Sequence, residues 1–210
     1  MTIDKLNNSK LIKPHIKSFS SVTEFHGHVC PGSAFGYKAA ELALKTLSMN
    51  KSTDEELIAI VENDTCAVDA IQVVTGCTFG KGNLIFNDYG KQVYTFINRL
   101  SGEAVRISLR NSFNMDKIDP SLNQLRKKVN SKHAGPEDME NLKRAMINVS
   151  KKLIKAPAED IFRVEHVDVE MPDKARIFES IKCSKCGEMV SAHRTSEKNG
   201  QKVCIPCSKL

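Results

Sequence analysis

The spacing of apolar positions predicts three helices in this chain. Across residues 137–154 apolar side chains recur at every third or fourth position, so they share one face of a helix that follows Gly135-Pro136. Residues 32–47 show the same period after Pro31, which suits the first turn of a helix. A third helix is predicted from Cys66 to about residue 75, with Asp64 or Thr65 as its N-cap and Gly76 at its end.

Alternating and β-branched runs predict the strands. Residues 57–61, Leu-Ile-Ala-Ile-Val, have the composition of a buried strand. Further strands are predicted at 83–86, 93–97, 103–109 and 161–169, with Gly, Asn and Asp turn signals between the first three. Because helices and strands do not alternate regularly, the predicted fold class is α+β, a mixed or antiparallel sheet packed with helices.

Composition and charge narrow the class of protein. The chain has 210 residues, 40% of them hydrophobic and 27% charged, which is typical of a globular protein with one core and a small module. Its net charge of +6 comes from scattered lysines, so it permits a nucleic-acid or acidic partner without requiring one. No apolar run has the length of a membrane span, and residues 1–17 lack a signal-peptide core, so we expect a cytoplasmic protein with reduced thiols.

Seven cysteines fall into two sets that divide the chain. The first set is Cys30, Cys66 and Cys77, and the second lies in the last 28 residues. A polar stretch around residues 171–176 separates the two sets. We therefore predict an α+β core domain at 1–172, a linker at 173–180 and a small metal-bound module at 181–210.

The second set has the spacing of a zinc site. Two C-x2-C pairs are separated by 17 residues: Cys183, Cys186, Cys204 and Cys207. Residues 190–194 and 202–204 are predicted to pair as a hairpin with Asn199-Gly200 as its turn. The module is too small for an apolar core of its own, so a structural zinc ion would supply its folding energy.

A second cluster of metal donors is predicted near the N-terminus. His26, His28 and Cys30 occupy alternate positions in Phe-His-Gly-His-Val-Cys-Pro-Gly, and Pro31 disfavours helical backbone at Cys30. In an extended segment alternate side chains point the same way, so we expect the three to project together. Imidazole and thiolate suit zinc, iron, nickel or copper.

Three more residues are candidates for the same site. Cys66, like Cys30, is predicted at a helix start, where the positive helix end favours a thiolate that serves as ligand or nucleophile. Asp69 lies three residues on and is a candidate ligand, histidine partner or acid–base group. Cys77 ranks below Cys66 as a ligand, since a helix of ~1.5 Å rise per residue carries it roughly 15 Å away, although the Gly76 turn could return it.

Other motifs carry weaker signals. Gly80-Lys81-Gly82-Asn83 resembles a small anion-binding loop, and it also suits a plain hairpin turn. Gly32 and Gly36 are one helical turn apart and would let another backbone approach closely. The remaining histidines lack such neighbours and are interpreted as structural: His15, His133, His166 and His193.

Residues 25–32, the helix that follows, residues 61–72 and residues 75–84 together resemble the FmdE family of formylmethanofuran dehydrogenase proteins. Residues 181–209 are similar to the treble-clef-type zinc finger that members of this family often carry. The resemblance implies an α+β core, commonly dimeric, with a cleft that can hold a metal. Carried over to this sequence, the cleft would contain His26, His28, Cys30, Cys66, Asp69 and Cys77.

The resemblance and the motifs lead to three interpretations of function. In the first, the chain is a homodimeric metal-binding protein accessory to a molybdenum or tungsten formylmethanofuran dehydrogenase-like complex, with structural zinc at the C-terminus and a second transition metal, zinc as isolated, in the core cleft. In the second, the cleft belongs to a free-standing metalloenzyme or thiol redox enzyme in which Cys30, Cys66 or Asp69 is catalytic. In the third, the basic zinc finger binds nucleic acid in a regulator.

Overall fold

A computed structural model describes residues 14–131 and 134–209 of the chain. These residues belong to two compact units, Met1–Lys174 and Ala175–Leu210. His133 and most of the segment considered for a signal peptide lie outside the described residues.

A mixed five-stranded sheet forms the centre of the first unit. Its order is β2-β1-β3-β4-β5, with β1 and β2 parallel and the other neighbours antiparallel. The strands are β1 (Leu57–Val61), β2 (Leu84–Phe86), β3 (Val93–Asn98), β4 (Ala104–Leu109) and β5 (Phe162–His166). This sheet and the helices packed on it confirm the predicted α+β fold class.

The helices of the first unit bury one face of this sheet. They are α1 (Phe19–His26), α2 (Pro31–Thr46), α3 (Ala67–Thr75), α4 (Ser121–Val129), α5 (Pro136–Lys155) and α6 (Ala158–Ile161). Tyr94 and Phe96 of β3 pack in one core with Leu44, Ile71 and Leu153 of the helices. On the opposite face Ile58, Ile97 and Ala104 pack with Val167 and Met171, which follow β5. Burial of these large side chains is the main favourable term that holds the sheet and helices together.

Most predicted elements of this unit lie within one residue of their observed bounds. The helix predicted at 137–154 is α5, which begins at Pro136 and ends at Lys155. The Asp138 side chain caps this helix by accepting a hydrogen bond from the Gly135 N–H over 3.1 Å. Two predictions differ: β5 ends at His166 rather than residue 169, and α4 was not predicted, since Leu122 is its only fully buried side chain.

The second unit contains two hairpins and a short helix. Its elements are β6 (Ser180–Lys182), β7 (Met189–Ser191), β8 (Thr195–Lys198), β9 (Gln201–Cys204) and α7 (Ile205–Ser208), with a 3-10 turn at Ala192–Arg194. Asn199 and Gly200, with φ of 52° and 72°, form the predicted turn between β8 and β9. The predicted strand at 190–194 is wrong, because β7 ends at Ser191 and pairs with β6, and β8 leads into the turn instead.

No helix within residues 14–131 and 134–209 is both long enough and apolar enough to cross a membrane.

Candidate metal centres

A close contact between two helix starts brings Cys30 and Cys66 together. Cys30 is the N-cap of α2 and Cys66 is the N-cap of α3. A Cβ atom at Gly36 of α2 would lie 2.0 Å from the carbonyl oxygen of Ala67, and one at Gly32 would lie 3.1 Å from the Cβ of Cys66. The predicted close backbone approach at these glycines is therefore confirmed, and it positions both thiols at one end of the helix pair.

Hydrogen bonds at the start of α2 favour a thiolate at Cys30. The Cys30 Sγ accepts from the Ser33 N–H over 3.4 Å, and the Ser33 hydroxyl donates to the Cys30 carbonyl over 2.9 Å. Burial by itself would raise the pKa of the Cys30 thiol, but the contacts with Ser33, Cys66 and His26 lower it below its ordinary value. The pKa of Cys66 is instead raised, first by burial and then by the nearby Cys30. Ser33 was not predicted as part of the site, although a serine three residues after an N-cap is a recognisable capping signal.

The histidines reach the thiols by a different backbone path from the one predicted. His26 is the last residue of α1, and Gly27 ends the helix with φ of 85°, so the segment is not extended throughout. The backbone reverses at Gly27 and becomes extended at Cys30, where φ is −144° and ψ is 159°. His26 and His28 then face each other, with ring centroids 4.3 Å apart.

Four of the predicted donors meet at one point. The ligand atoms of His26, His28, Cys30 and Cys66 all lie within 4.8 Å of one another. The His26 Nε2 is 3.7 Å from the Cys30 Sγ, while the opposite ring nitrogen, Nδ1, is 2.7 Å from Oδ2 of Asp69. Two imidazoles and two thiols at this separation have the chemistry of a tetrahedral zinc or iron ligand set.

Asp69 lies beside this ligand set and contacts it through His26. Its carboxylate can only accept, so the His26 Nδ1 carries the proton and Nε2 keeps its lone pair in the neutral ring. Burial lowers the pKa of His26, but hydrogen bonds to Asp69 and Cys30 outweigh it and raise that pKa above its ordinary value of 6.5. Of the three roles considered for Asp69, this geometry is that of the histidine partner.

The structure places Cys77 in the core and not with these four donors. Its side chain is fully buried, and its Sγ donates to the carbonyl of Leu57 in β1 over 3.2 Å. Burial raises the pKa of this thiol to about 12. A thiol that is neutral, buried and hydrogen-bonded to a strand carbonyl behaves as a small core side chain.

An apolar cavity borders the exposed side of the four donors. It has a volume of about 1060 Å³ and is lined on one side by Gly27, His28 and Val29. Its opposite wall belongs to α5, with Leu142 and Met146 among the lining residues. The cavity was not predicted, because it depends on how α5 packs beside the loop between α1 and α2.

The four C-terminal cysteines form a second cluster within the second unit. The Sγ atoms of Cys183, Cys186, Cys204 and Cys207 all lie within 4.8 Å of one another. Gly187, with φ of 80°, makes the turn after the first pair, and its N–H donates to the Cys183 carbonyl over 2.9 Å. The N–H groups of Cys186 and Cys204 lower the pKa of Cys183 to about 6, so this thiol ionises readily for zinc.

Comparison with known proteins agrees with this two-part organisation. Residues 25–163 match the family described as "FmdE, Molybdenum formylmethanofuran dehydrogenase operon". Residues 176–208 match the "Prokaryotic dksA/traR C4-type zinc finger". The second match assigns the C-terminal cysteine cluster to a C4 zinc finger, for which structural zinc is the expected ion.

Two relatives span most of the chain. A "Probable S-adenosyl-L-methionine-binding protein" of Archaeoglobus fulgidus is 33% identical over 221 residues, which cover 99% of this chain and 59% of that protein. The chain therefore spans less than two thirds of this relative. The crystal structure of a tungsten formylmethanofuran dehydrogenase FmdE-like protein from Syntrophus aciditrophicus superposes with a TM-score of 0.56 at 25% identity, covering 90% of this chain and 89% of that one.

The family match covers more than half of the chain, and the resemblance seen in its motifs is confirmed. The chain belongs to the FmdE family and carries a C4-type zinc finger after the family domain.

Proposed function

We propose that this chain binds a transition metal through His26, His28, Cys30 and Cys66 and acts as an accessory protein to a formylmethanofuran dehydrogenase-like complex. The observation that carries the proposal is the meeting of these four donor atoms within 4.8 Å. Zinc is the metal expected in the isolated protein, in addition to the structural zinc of the C-terminal finger.

The donor chemistry supports the metal site. Neutral imidazole and thiolate are the forms that bind metal, and the Cys30 pKa is already lowered by its hydrogen bonds and neighbours. Asp69 would hold the His26 ring in the orientation that points Nε2 at the metal. Cys77 is left out of this ligand set because its Sγ donates to the Leu57 carbonyl. When bound, a zinc ion at this site would supply Lewis-acid chemistry or a fixed position for a further ligand.

The accessory role rests on the family and on the structural neighbour. The matched family is described by the molybdenum formylmethanofuran dehydrogenase operon, and the neighbour is an FmdE-like protein of the tungsten enzyme. A chain with two clusters of thiol donors is suited to support such a complex by holding or delivering metal. The carbon dioxide chemistry itself would belong to the larger molybdenum or tungsten components of that complex.

Metal analysis of the full chain tests the site. We expect about two equivalents of metal per chain in the intact protein, and one in Cys30→Ser and in Cys66→Ser. Cys77→Ala is the matched control, since it also removes a cysteine of the first unit but should keep both equivalents. If Cys30→Ser and Cys66→Ser keep two equivalents, the core site is not a metal site.

A separate measurement tests the accessory role. The metal-loaded chain is mixed with a purified formylmethanofuran dehydrogenase complex that lacks its FmdE component, and size-exclusion chromatography follows both. Comigration that is lost with Cys30→Ser supports the accessory role. If the wild-type chain elutes alone, metal binding stands and the accessory role does not.

A second candidate function, a free-standing metalloenzyme, is favoured by the cavity beside His28. A volume of about 1060 Å³ is enough for a small organic substrate next to the metal donors. In that case one of the four donors would leave the metal to open a position, and Asp69 would move a proton through His26. Met146→Trp, which fills the cavity from α5 without touching a donor, would abolish turnover of such a substrate while preserving metal content.

A further inference from the structure

Two adjoining surface cavities lie on the flank of α1 and α3, away from the apolar cavity at His28. Their volumes are about 440 Å³ and 550 Å³, and three residues line both: Lys51, Gln72 and Thr78. Lys17 and Phe25 line the first cavity, and Lys81 lines the second.

Three lysines therefore converge on one site without a compensating carboxylate in contact. Among the ion pairs of the described residues, none involves Lys17, Lys51 or Lys81. Glu24 is the acidic residue that lines the first cavity, so three ammonium groups face one carboxylate, a net charge of +2. The pKa of Lys51 is lowered, first by burial and then by Lys17 and Lys81, as expected for like charges held close together.

Two of these lysines are held in place by the backbone around them. A Cβ atom at Gly76 would lie 3.0 Å from Cγ and 3.2 Å from Cε of Lys51, so the lysine stem lies directly over this glycine. The Lys81 Nζ donates to the carbonyls of Thr53 over 3.2 Å and Asp54 over 3.0 Å. An ammonium group has three donors, so Lys81 keeps one for a ligand.

The loop that resembled an anion-binding motif contributes through this lysine and not through its amides. The Gly82 N–H donates to the Phe79 carbonyl over 3.1 Å, and the Lys81 N–H donates to the Thr78 hydroxyl oxygen over 3.4 Å. With these amides engaged, the loop has the hydrogen bonding of a turn while its side chain supplies the charge.

We propose that the two cavities form a binding site for a phosphate-bearing small molecule, with the phosphate between Lys17, Lys51 and Lys81. A phosphate monoester carries close to two negative charges at neutral pH, which matches the net charge of the site. The hydroxyl of Thr78 and the amide of Gln72 supply further donors. Phe25, whose side chain is 61% exposed, offers a ring face to the organic part of the ligand.

This site is separate from the proposed metal centre in its residues, although α1 and α3 also carry His26 and Asp69. Phe25 precedes His26 in α1, and Gln72 follows Asp69 by one turn of α3. The two sites can therefore be tested independently, because the lysines are not metal donors.

Calorimetric titration of the zinc-loaded full chain tests the proposal, with inorganic phosphate and phenyl phosphate as probes. We expect saturable binding of one equivalent, weakened about tenfold by Lys51→Gln and by Lys17→Gln, since each removes one charged hydrogen bond. Phenyl phosphate should bind more tightly than inorganic phosphate, and Phe25→Ala should remove that advantage.

The matched control is Lys127→Gln, which removes the same charge from an exposed lysine of α4 outside both cavities. It should bind both probes as the wild type does. Equal weakening by Lys127→Gln and Lys51→Gln would show general surface attraction and overturn the proposal. Absence of saturable binding, or tighter binding of succinate than of phosphate, would also overturn it.

Discussion

The Nδ1 of His26 lies 2.7 Å from Oδ2 of Asp69, and the Nε2 of the same ring faces the thiol of Cys30 at 3.7 Å. One imidazole thus connects a carboxylate on α3 to the cysteine that begins α2. The carboxylate sets which nitrogen carries the proton, and so which nitrogen is available to a metal.

Replacing Asp69 by Asn should weaken the core metal site without removing it. The amide cannot accept from His26 with the strength of a carboxylate, so we expect metal affinity to fall about 10–100-fold. Competition with a chromophoric chelator measures this affinity. Asp64→Asn, an exposed position two residues before Cys66, is the control and should leave affinity unchanged; equal affinity in both variants would show that Asp69 does not orient a metal ligand.

Replacing Gly36 by Ala should destabilise the first unit and disturb its metal centre. The new Cβ would lie 2.0 Å from the Ala67 carbonyl oxygen, which is main chain and cannot swing away. We expect a loss of about 2–3 kcal/mol in the free energy of unfolding, followed by circular dichroism in urea because the chain has no tryptophan. Gly80→Ala is the control, since its Cβ meets nothing within 4 Å. Equal stability of the two variants would contradict the close contact.

In the metal-free protein His26 should titrate above its ordinary pKa of 6.5. A pKa raised in the folded state means that protonated His26 stabilises the fold at low pH, and that this contribution is lost as pH rises through the folded-state pKa. Imidazole NMR signals measured against pH would give the midpoint. Asp69→Asn should lower it, and an unchanged midpoint in that variant would disprove the coupling.

Removal of zinc from the C-terminal finger should unfold the second unit and leave the five-stranded sheet intact. The four buried or partly buried thiols are the main contacts within that unit, so its folding energy depends on the ion. In Cys204→Ser we expect amide NMR signals of residues 175–209 to collapse to random-coil positions while those of β1–β5 persist. Cys77→Ala should keep the signals of both units. Persistence of the finger signals in Cys204→Ser would show that the unit folds without its metal.

Local signals in the sequence were sufficient where one element determines the outcome. The strand at Leu57–Val61 and the helix at Pro136–Lys155 follow from β-branched composition and from a long apolar period. The sheet order β2-β1-β3-β4-β5 has no such local signal, because it depends on pairings between distant segments. Helix α4 escaped prediction for the related reason that Leu122 alone is fully buried in it.

The candidate site shows the same division. Alternation correctly pointed to His26, His28 and Cys30 as neighbours, but the predicted extended backbone was wrong, since a single glycine with φ of 85° ends α1 at that point. The role of Asp69 was left open, because three residues after Cys66 on a helix does not say which side chain from α1 will meet it. Cys77 differs from Cys66 only through its tertiary surroundings, which bury it against β1.

The contact between Gly36 and Ala67 makes the spacing of the two thiols a property of the main chain. Side chains around the helix pair can change in size or polarity while the two N-termini stay in register. A protein engineer could therefore exchange the donor at position 30 or 66 for a different one, and so retune metal preference, on a scaffold whose frame does not depend on the donors it carries.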